Sequence, residues 1–542
     1  MPIPVPVCHF PSRIQTLLIF VLSEFLLTDL GLLHARDKIP LHRQVYEVLR
    51  RAILDGRLTA GDRLPSSRQL MRDLKLSRNT VVSALTQLTI EGYLITQVGS
   101  GTFVSDRLAA SGVLRPCTLS MQTARLSQRG DVLAKTYCAS QLEIQPFTPG
   151  IADFSAFPVS QWLRLQNKHW RMNYPDMLDY SYSGGYAPLR RAVAQYLRVS
   201  RSVQVDAEQV IITSGTQQSM ELCAQLLADH GDTVWLEDPA YWGAVKAFLA
   251  CGLRLHAVPV DRQGIAPRPS DDAMAPRLIY VTPSHQYPTG AVMTLERRQQ
   301  LLAIARRHGC WVLEDDYDTE FRFDAAPLSS LSGLDQDARV LYMGTFSKVL
   351  YPGLKLGYLV VPVGLVDTFK QAHYDLNRPG QMQLQAALAE FIEMGYFANA
   401  LRRARASYGL RRRSLLEALK PCLDAGAWIS GAEQGLHLCL RLHRDADDVG
   451  MANRIGELGM TARPLSAYCI ERQDLRGLVI GYGYAALEEI RRHGPELAQA
   501  IVREIANLAS ARHGTLALQD SPDSITMPVP PYPTPEPPMA AT

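Results

Sequence analysis

Trp311-Val-Leu-Glu-Asp-Asp-Tyr317 is an apolar run that opens into carboxylates and a tyrosine. It reads as a buried strand whose far end carries chemistry. Asp315 and Tyr317 are two apart, so in extended chain they share one face while Asp316 points to the other. Outward from this stretch, similar runs occur at Gln209-Val-Ile-Ile-Thr213, Thr233-Val-Trp-Leu236 and Leu278-Ile-Tyr-Val281, with helical segments between them. That alternation predicts an α/β domain on a mainly parallel sheet, from Phe147 to about Gly514.

Downstream, Gly344-Thr-Phe-Ser-Lys348 places a lysine after small hydroxyl residues, and Tyr351-Pro-Gly-Leu-Lys-Leu-Gly357 follows. A lone lysine is ordinarily solvated, and its neighbours give this one meaning. Ile211-Ile-Thr-Ser-Gly-Thr-Gln-Gln218 runs from strand into helix, so backbone N–H groups and the helix dipole around Ser214, Gly215 and Thr216 suit a phosphate. Thr345, Ser347 and Lys355 complete the expected cup. Glu237-Asp-Pro-Ala-Tyr-Trp242 offers an aromatic to stack on a planar ring, Tyr241 in preference to Trp242. The set matches the needs of pyridoxal 5'-phosphate (PLP). Lys348 would close a Schiff base, Asp315 would keep the pyridine nitrogen protonated, and Tyr317 would stand by the ring hydroxyl.

The N-terminal part has a different logic. Helical periodicity runs from Leu41 to about Leu54 and is punctuated by Gly56 and Gly61. In Leu64-Pro-Ser-Ser-Arg-Gln-Leu70, Ser66 can cap a helix with Gln69 closing a capping box, and Leu70, Met71 and Leu74 form its apolar face. Ser77 can cap a second helix whose first turn is Arg78-Asn79-Thr80 and whose buried stripe is expected to be Val81, Val82, Leu85 and Leu88. Tyr93-Leu-Ile-Thr and Thr102-Phe-Val flank Gly99-Ser-Gly101, a hairpin with a glycine-rich tip. Between Leu41 and Ser105 nine Lys/Arg face five Asp/Glu, a local excess of basic charge in a chain whose net charge is only +3. A polar first turn carrying arginine suits a recognition helix in the major groove.

This part resembles the winged helix-turn-helix of GntR-type regulators, in Pro40-Leu41, Gly56-Arg-Leu58, Gly61-Asp-Arg-Leu-Pro-Ser-Ser-Arg68, Leu76-Ser-Arg-Asn-Thr-Val81 and Gly99-Ser-Gly-Thr-Phe-Val104. The resemblance implies DNA contacts from Arg68, Ser77, Arg78, Thr80 and Gly101. The larger part resembles fold type I PLP enzymes of the class I/II aminotransferase group. The whole chain looks like a MocR/GabR-type regulator: an α+β winged-helix domain joined to an α/β PLP-dependent transferase domain. That resemblance implies an internal aldimine at Lys348, Asp315 at the pyridine nitrogen, Tyr317 at the ring oxygen and Tyr241 stacked on the ring. It also implies a homodimer, with Tyr180 reaching the partner's phosphate.

Three departures bear on function. Thr282-Pro-Ser-His-Gln-Tyr-Pro-Thr-Gly290 has Tyr287 where aminotransferases have an asparagine, so a contact to the ring oxygen is missing or supplied by His285 or Gln286. Lys355 stands where the family usually has arginine, and it lacks the bidentate fork. Leu478-Val-Ile-Gly-Tyr482 matches the strand that carries the substrate-carboxylate arginine and has none; Arg463 and Arg476 are neighbours in sequence only.

At 542 residues, 47% hydrophobic and 20% charged, the chain is a globular protein of two or three domains. Residues 1–38 form an N-terminal extension whose apolar stretch Leu17–Leu22 is broken by Glu24 and Asp29, which argues against a membrane anchor. The winged helix is expected over 39–106, a linker over 107–146, the PLP domain over 147–514 and a Pro-rich disordered tail over 515–542. Nine cysteines without C-x-x-C pairs argue against disulfides or zinc and for a reducing cytoplasm. The leading expectation is a DNA-binding regulator that senses an amine, an amino acid or PLP itself through Lys348. The alternative is an active aminotransferase with an accessory DNA-binding domain, against which the missing arginine counts.

Overall fold

A computed structural model of the chain describes residues 39–97, 99–106, 125–135, 144–153, 155, 157–171, 175–180, 184–323 and 329–519, with side chains to residue 508. The Leu17–Leu22 stretch, much of the expected linker and the tail beyond Gln519 lie outside the described residues. The chain divides into two compact units, one ending at Arg125 and the other beginning at Leu126.

In the first unit, α1 (Leu41–Leu54), α2 (Ser67–Leu74) and α3 (Arg78–Ile90) precede a hairpin of β1 (Leu94–Gln97) and β2 (Gly101–Val104). The Ser66 hydroxyl accepts the Gln69 N–H at 3.2 Å, and the Ser77 hydroxyl accepts the Thr80 N–H at 3.2 Å. Each cap is worth about 1 kcal/mol and fixes where its helix begins. Val45, Leu49 and Ile53 of α1 meet Leu70 of α2, Val81, Ala84, Leu85 and Leu88 of α3, and Leu94 and Val104 of the hairpin. Val82 is not in that core: it is 40% exposed. Val81, Ala84, Leu85 and Leu88 recur at i, i+3, i+4 and i+7 and set the inward face; Val82 lies about 100° round from Val81, outside that arc, and Ala84 takes the expected place.

The second unit is built on an eight-stranded sheet of β3 (Val210–Thr213), β4 (Thr233–Asp238), β5 (Arg254–Asp261), β6 (Gly264–Ile265), β7 (Leu278–Val281), β8 (Trp311–Asp316), β9 (Val340–Thr345) and β10 (Gly357–Val360). Their order is β3-β10-β9-β8-β7-β4-β5-β6. β5, β4, β7, β8 and β9 pair in parallel, while β10 runs antiparallel to both neighbours. β3, β4 and β7 are buried along their whole length, which is why they read as continuous apolar runs. A second, antiparallel sheet holds β11 (Trp428–Ser430), β12 (His437–Leu442), β13 (Arg463–Pro464) and β14 (Arg476–Gly481), in the order β11-β12-β14-β13.

Two boundaries differ from expectation. Part of the expected linker is helix α4 (Gln128–Lys135), begun by a Gly130 N–H bond to the Ser127 hydroxyl at 3.0 Å. It buries no side chain, so it had no apolar stripe to announce it. The C-terminal helix Leu487–Gln519 continues past Gly514 into the residues expected to be disordered. Among the described residues no helix is long and apolar enough to cross a membrane.

Candidate functional site

Parallel strands leave their C-terminal ends on one edge of a sheet, where ligand sites form. Here that edge opens into a cavity of about 400 Å³ whose wall includes Thr216, Tyr241, Asp315, Tyr317, Thr345 and Lys348. Lys348, in the turn after β9, donates from its amine to the Gly150 carbonyl at 2.7 Å. Gly150 has φ +74°, the left-handed region that favours glycine, while a Cβ there would meet the lysine nitrogen only in ordinary contact at 3.4 Å. Burial lowers the pKa of the amine, opposed by the charges of Asp318 and Asp315.

Asp315 accepts the Tyr280 hydroxyl on Oδ2 at 2.8 Å, and its Oδ1 is buried with no hydrogen-bond partner. Burial pushes this carboxyl up to about 7. An unsatisfied buried carboxylate oxygen in a cavity wall calls for a cationic N–H donor. Asp316, one residue on, faces the other way and is held by Arg201 at 2.8 Å and by the Tyr342 hydroxyl.

His285, not Gln286, stands beside the Tyr317 hydroxyl. The Tyr317 hydroxyl lies 3.2 Å from His285 Nδ1, which is itself 3.0 Å from each carboxylate oxygen of Asp318. The Gln286 amide is turned away, donating to the Pro239 and Tyr287 carbonyls at 2.9 and 2.7 Å. His437 lies 4.8 Å from His285, ring to ring, and burial holds its pKa well below the usual value, so it is neutral. His285, Asp318 and His437 thus gather ligand atoms within 4.8 Å of one another, a cluster hidden by their separation in sequence.

The phosphate end begins at helix α5 (Thr216–Leu227), preceded by Gly215 at φ +126°. A Cβ on Gly357 would come within 2.8 Å of both the Gly215 Cα and the Gly344 carbonyl, so only glycine lets the turn lie on β9 and β10. Thr216 and Thr345 reach the wall; Ser214 and Lys355 are exposed and do not. The Ser347 N–H donates to the Thr345 hydroxyl at 3.1 Å. Tyr241 and Trp242 both line the cavity, with Tyr287 edge-on to Tyr241 at 5.7 Å. Tyr180 is 54% exposed and outside the wall. Sequence reasoning missed Tyr280, Asp318 and the Gly150 carbonyl, and left Arg463 unassigned although it lines the cavity.

On the first unit, Arg68, Ser77 and Arg78 are exposed, and the Thr80 hydroxyl lies 2.8 Å from that of Ser77. Gly101 has φ +125°, and a Cβ there would stand 3.0 Å from Arg63 Nε.

The cavity fits PLP: a half-buried amine, an unsatisfied buried carboxylate oxygen, a tyrosine and a helix N-terminus are the groups that the aldehyde, ring nitrogen, ring oxygen and phosphate would need. Comparison with known proteins agrees. Residues 153–473 match the family "Aminotransferase class I and II", and residues 41–104 match "Bacterial regulatory proteins, gntR family". The chain is 39% identical to a probable rhizopine catabolism regulatory protein MocR of Rhizobium meliloti, covering 82% of this chain and 90% of that one. It is 29% identical to the pyridoxine biosynthesis transcriptional regulator PdxR of Corynebacterium glutamicum, covering 88% and 99%. Among solved structures, a kynurenine aminotransferase of Pyrococcus horikoshii superposes with a TM-score of 0.62 at 25% identity, over 70% of this chain and 96% of that one.

Proposed function

Since the chain belongs to the MocR-type regulators, GntR-family DNA-binding domains joined to an aminotransferase-like PLP domain, we propose that it couples DNA binding to the state of a PLP pocket that senses a primary amine, an amino acid or PLP itself. The observation that carries this reading is the meeting of the Lys348 amine and the unsatisfied Asp315 carboxylate in one cavity of a chain that also bears a winged helix.

Bound there, PLP supplies an aldehyde that condenses reversibly with primary amines. Lys348, its amine made more nucleophilic by burial, would hold the aldehyde end. Asp315 would pair with the ring nitrogen and Tyr241 or Trp242 would cover the ring. His285 and Asp318 would orient the Tyr317 hydroxyl at the ring oxygen, while the start of α5, with Thr216 and Thr345, would hold the phosphate. Ser214, Gly215 and Ser347 would support that end from behind the wall, and Lys355 would act through its charge alone. The Asp318–His285 bond keeps the Nδ1 proton between them, leaving the Tyr317 proton available to the cofactor.

The DNA reader is α3, with Arg78 at base edges, Arg68, Ser77 and Thr80 on the backbone, and Gly101 at the wing. A cytoplasmic homodimer completes the reading. Val159, Leu163 and Trp170 of the helix Val159–Arg171 fall on one face and are 50–61% exposed, with Leu178 and Tyr180 following at 67% and 54%. Exposed apolar side chains of this kind suit a second copy, to whose phosphate Tyr180 would point.

The test joins spectroscopy to DNA binding. The purified chain should show the visible band of bound cofactor, Lys348→Ala should abolish it, and added PLP or amino acid should change operator affinity, read by anisotropy, only with Lys348 present. Steady transamination over many cycles with no effect of ligand on DNA affinity would overturn the regulator in favour of an enzyme.

A further inference from the structure

β13 is only two residues long, and its register pairs Arg463 with Val479 and Pro464 with Leu478. Residues directly paired in an antiparallel ladder project from the same face, their Cβ atoms about 4.5–5.5 Å apart. Val479 packs with Tyr287, Cys439, Leu465, Tyr468 and Leu475, whereas its neighbours Leu478 and Ile480 belong to the core behind the sheet. Arg463 is therefore delivered to the Tyr287 face, and it lines the cavity together with Lys348. β14 carries no arginine where the resemblance to aminotransferases implies one, and the adjacent strand brings Arg463 to the face that Val479 shares.

Two observations mark this side chain as more than packing. It also lines a second cavity of about 390 Å³, beside Asn453, Met460 and Thr461, so it stands between two open volumes. Its bond to the Tyr468 hydroxyl, which lies 3.1 Å from that of Tyr287, holds it without burying it in the core. Building on the sensor reading above, we propose that Arg463 binds the carboxylate of the effector, which makes the ligand a primary amine carrying a carboxylate, its amine toward Lys348 and its acid toward β13. The planar guanidinium fork matches a carboxylate with two parallel hydrogen bonds.

The test uses the full chain loaded with PLP and follows its visible band during titration with matched pairs: L-alanine and ethylamine, L-leucine and 3-methylbutylamine, L-phenylalanine and 2-phenylethylamine. Wild type should respond to at least one acid at roughly 10- to 100-fold lower concentration than to its amine, the worth of one charge-assisted contact. Arg463→Gln should remove most of that preference by weakening the acid alone, and Arg463→Lys should fall between. Tyr468→Phe, which keeps the arginine but removes the hydroxyl that holds it, should reduce the preference less than Arg463→Gln. An unchanged preference in Arg463→Gln, a wild type that favours none of the acids, or loss of the band in both Arg463 variants overturns the assignment, the last because the arginine would then serve the cofactor. DNA affinity of the same samples reports separately on the sensor: acid preference without a change in DNA binding would leave Arg463 assigned and sink the regulator.

Discussion

The winged helix and the PLP cavity solve opposite problems. Arg68, Ser77, Arg78, Thr80 and Gly101 lie close in sequence, and the two arginines stand in the open. The cavity draws Gly150, Thr216, Tyr241, Asp315, Lys348 and Arg463 from across the second unit, burying Asp315 and half-burying the rest. A phosphate backbone is met by exposed donors on a rigid local scaffold, whereas an imine-forming pocket must strip water from its groups before their charges act on one another. The lesson is that chemistry at a surface is arranged by local turns and caps, and chemistry in a pocket by which strands the fold makes neighbours.

The neighbours Asp315 and Asp316 offer the hardest test of that contrast. Asp316→Ala takes the nearer carboxylate from Arg201, leaving Glu320 at 3.3 Å, and should cost about 3 kcal/mol of stability in chemical denaturation. Asp315→Ala should cost less stability and lose cofactor affinity instead. The reverse pattern would mean that the two strand faces have been exchanged.

In the first unit the expected effect is smaller and bears on binding alone. Arg78→Ala should weaken specific DNA binding by about 1–3 kcal/mol with no change in the cofactor spectrum. Arg68→Ala should lower affinity for all sequences alike and reduce the salt dependence. Equal operator binding by the Arg78 variant in a gel shift would remove α3 from the major groove.

The smallest effect is a pH dependence that only the covered site should show. Asp315 titrates near 7 in the fold against 3.8 for the ordinary carboxyl, so the folded unit without cofactor holds a proton that the unfolded chain has released. Its stability contribution is complete below about 4 and is lost as pH rises through 7. A cationic ring nitrogen removes that penalty. PLP should therefore raise Tm by about 2–4 °C more at pH 8 than at pH 5. Asp315→Asn should flatten the difference, even though Glu237 also titrates near 7.

What could be read from the chain alone followed the same division. The period of two that put Asp315 and Tyr317 on one face needs only a strand, and the Ser66 and Ser77 caps need only three residues each. The Val82 expectation failed within a helix because a run of two valines carries no phase of its own; Ala84, Leu85 and Leu88 set it. Arg463 was out of reach because its place depends on the register of a two-residue strand against β14. The choice between His285 and Gln286 turned on which side chain had closer partners, and Glu237, Pro239 and Thr289 claim the glutamine.

The place of β10 in the large sheet bears on how the protein is made. β3 is the first strand of that sheet to leave the ribosome, but its partner Gly357–Val360 follows only after every other strand of the sheet. Until then β3 presents an unpaired edge of three apolar residues and a threonine, the kind of surface on which chains stick together during synthesis. The N-terminal unit, a compact body of its own, can be complete by that time. A nascent chain will thus carry a finished DNA reader ahead of an open sheet, and the edge of β3 stays open until synthesis reaches Val360.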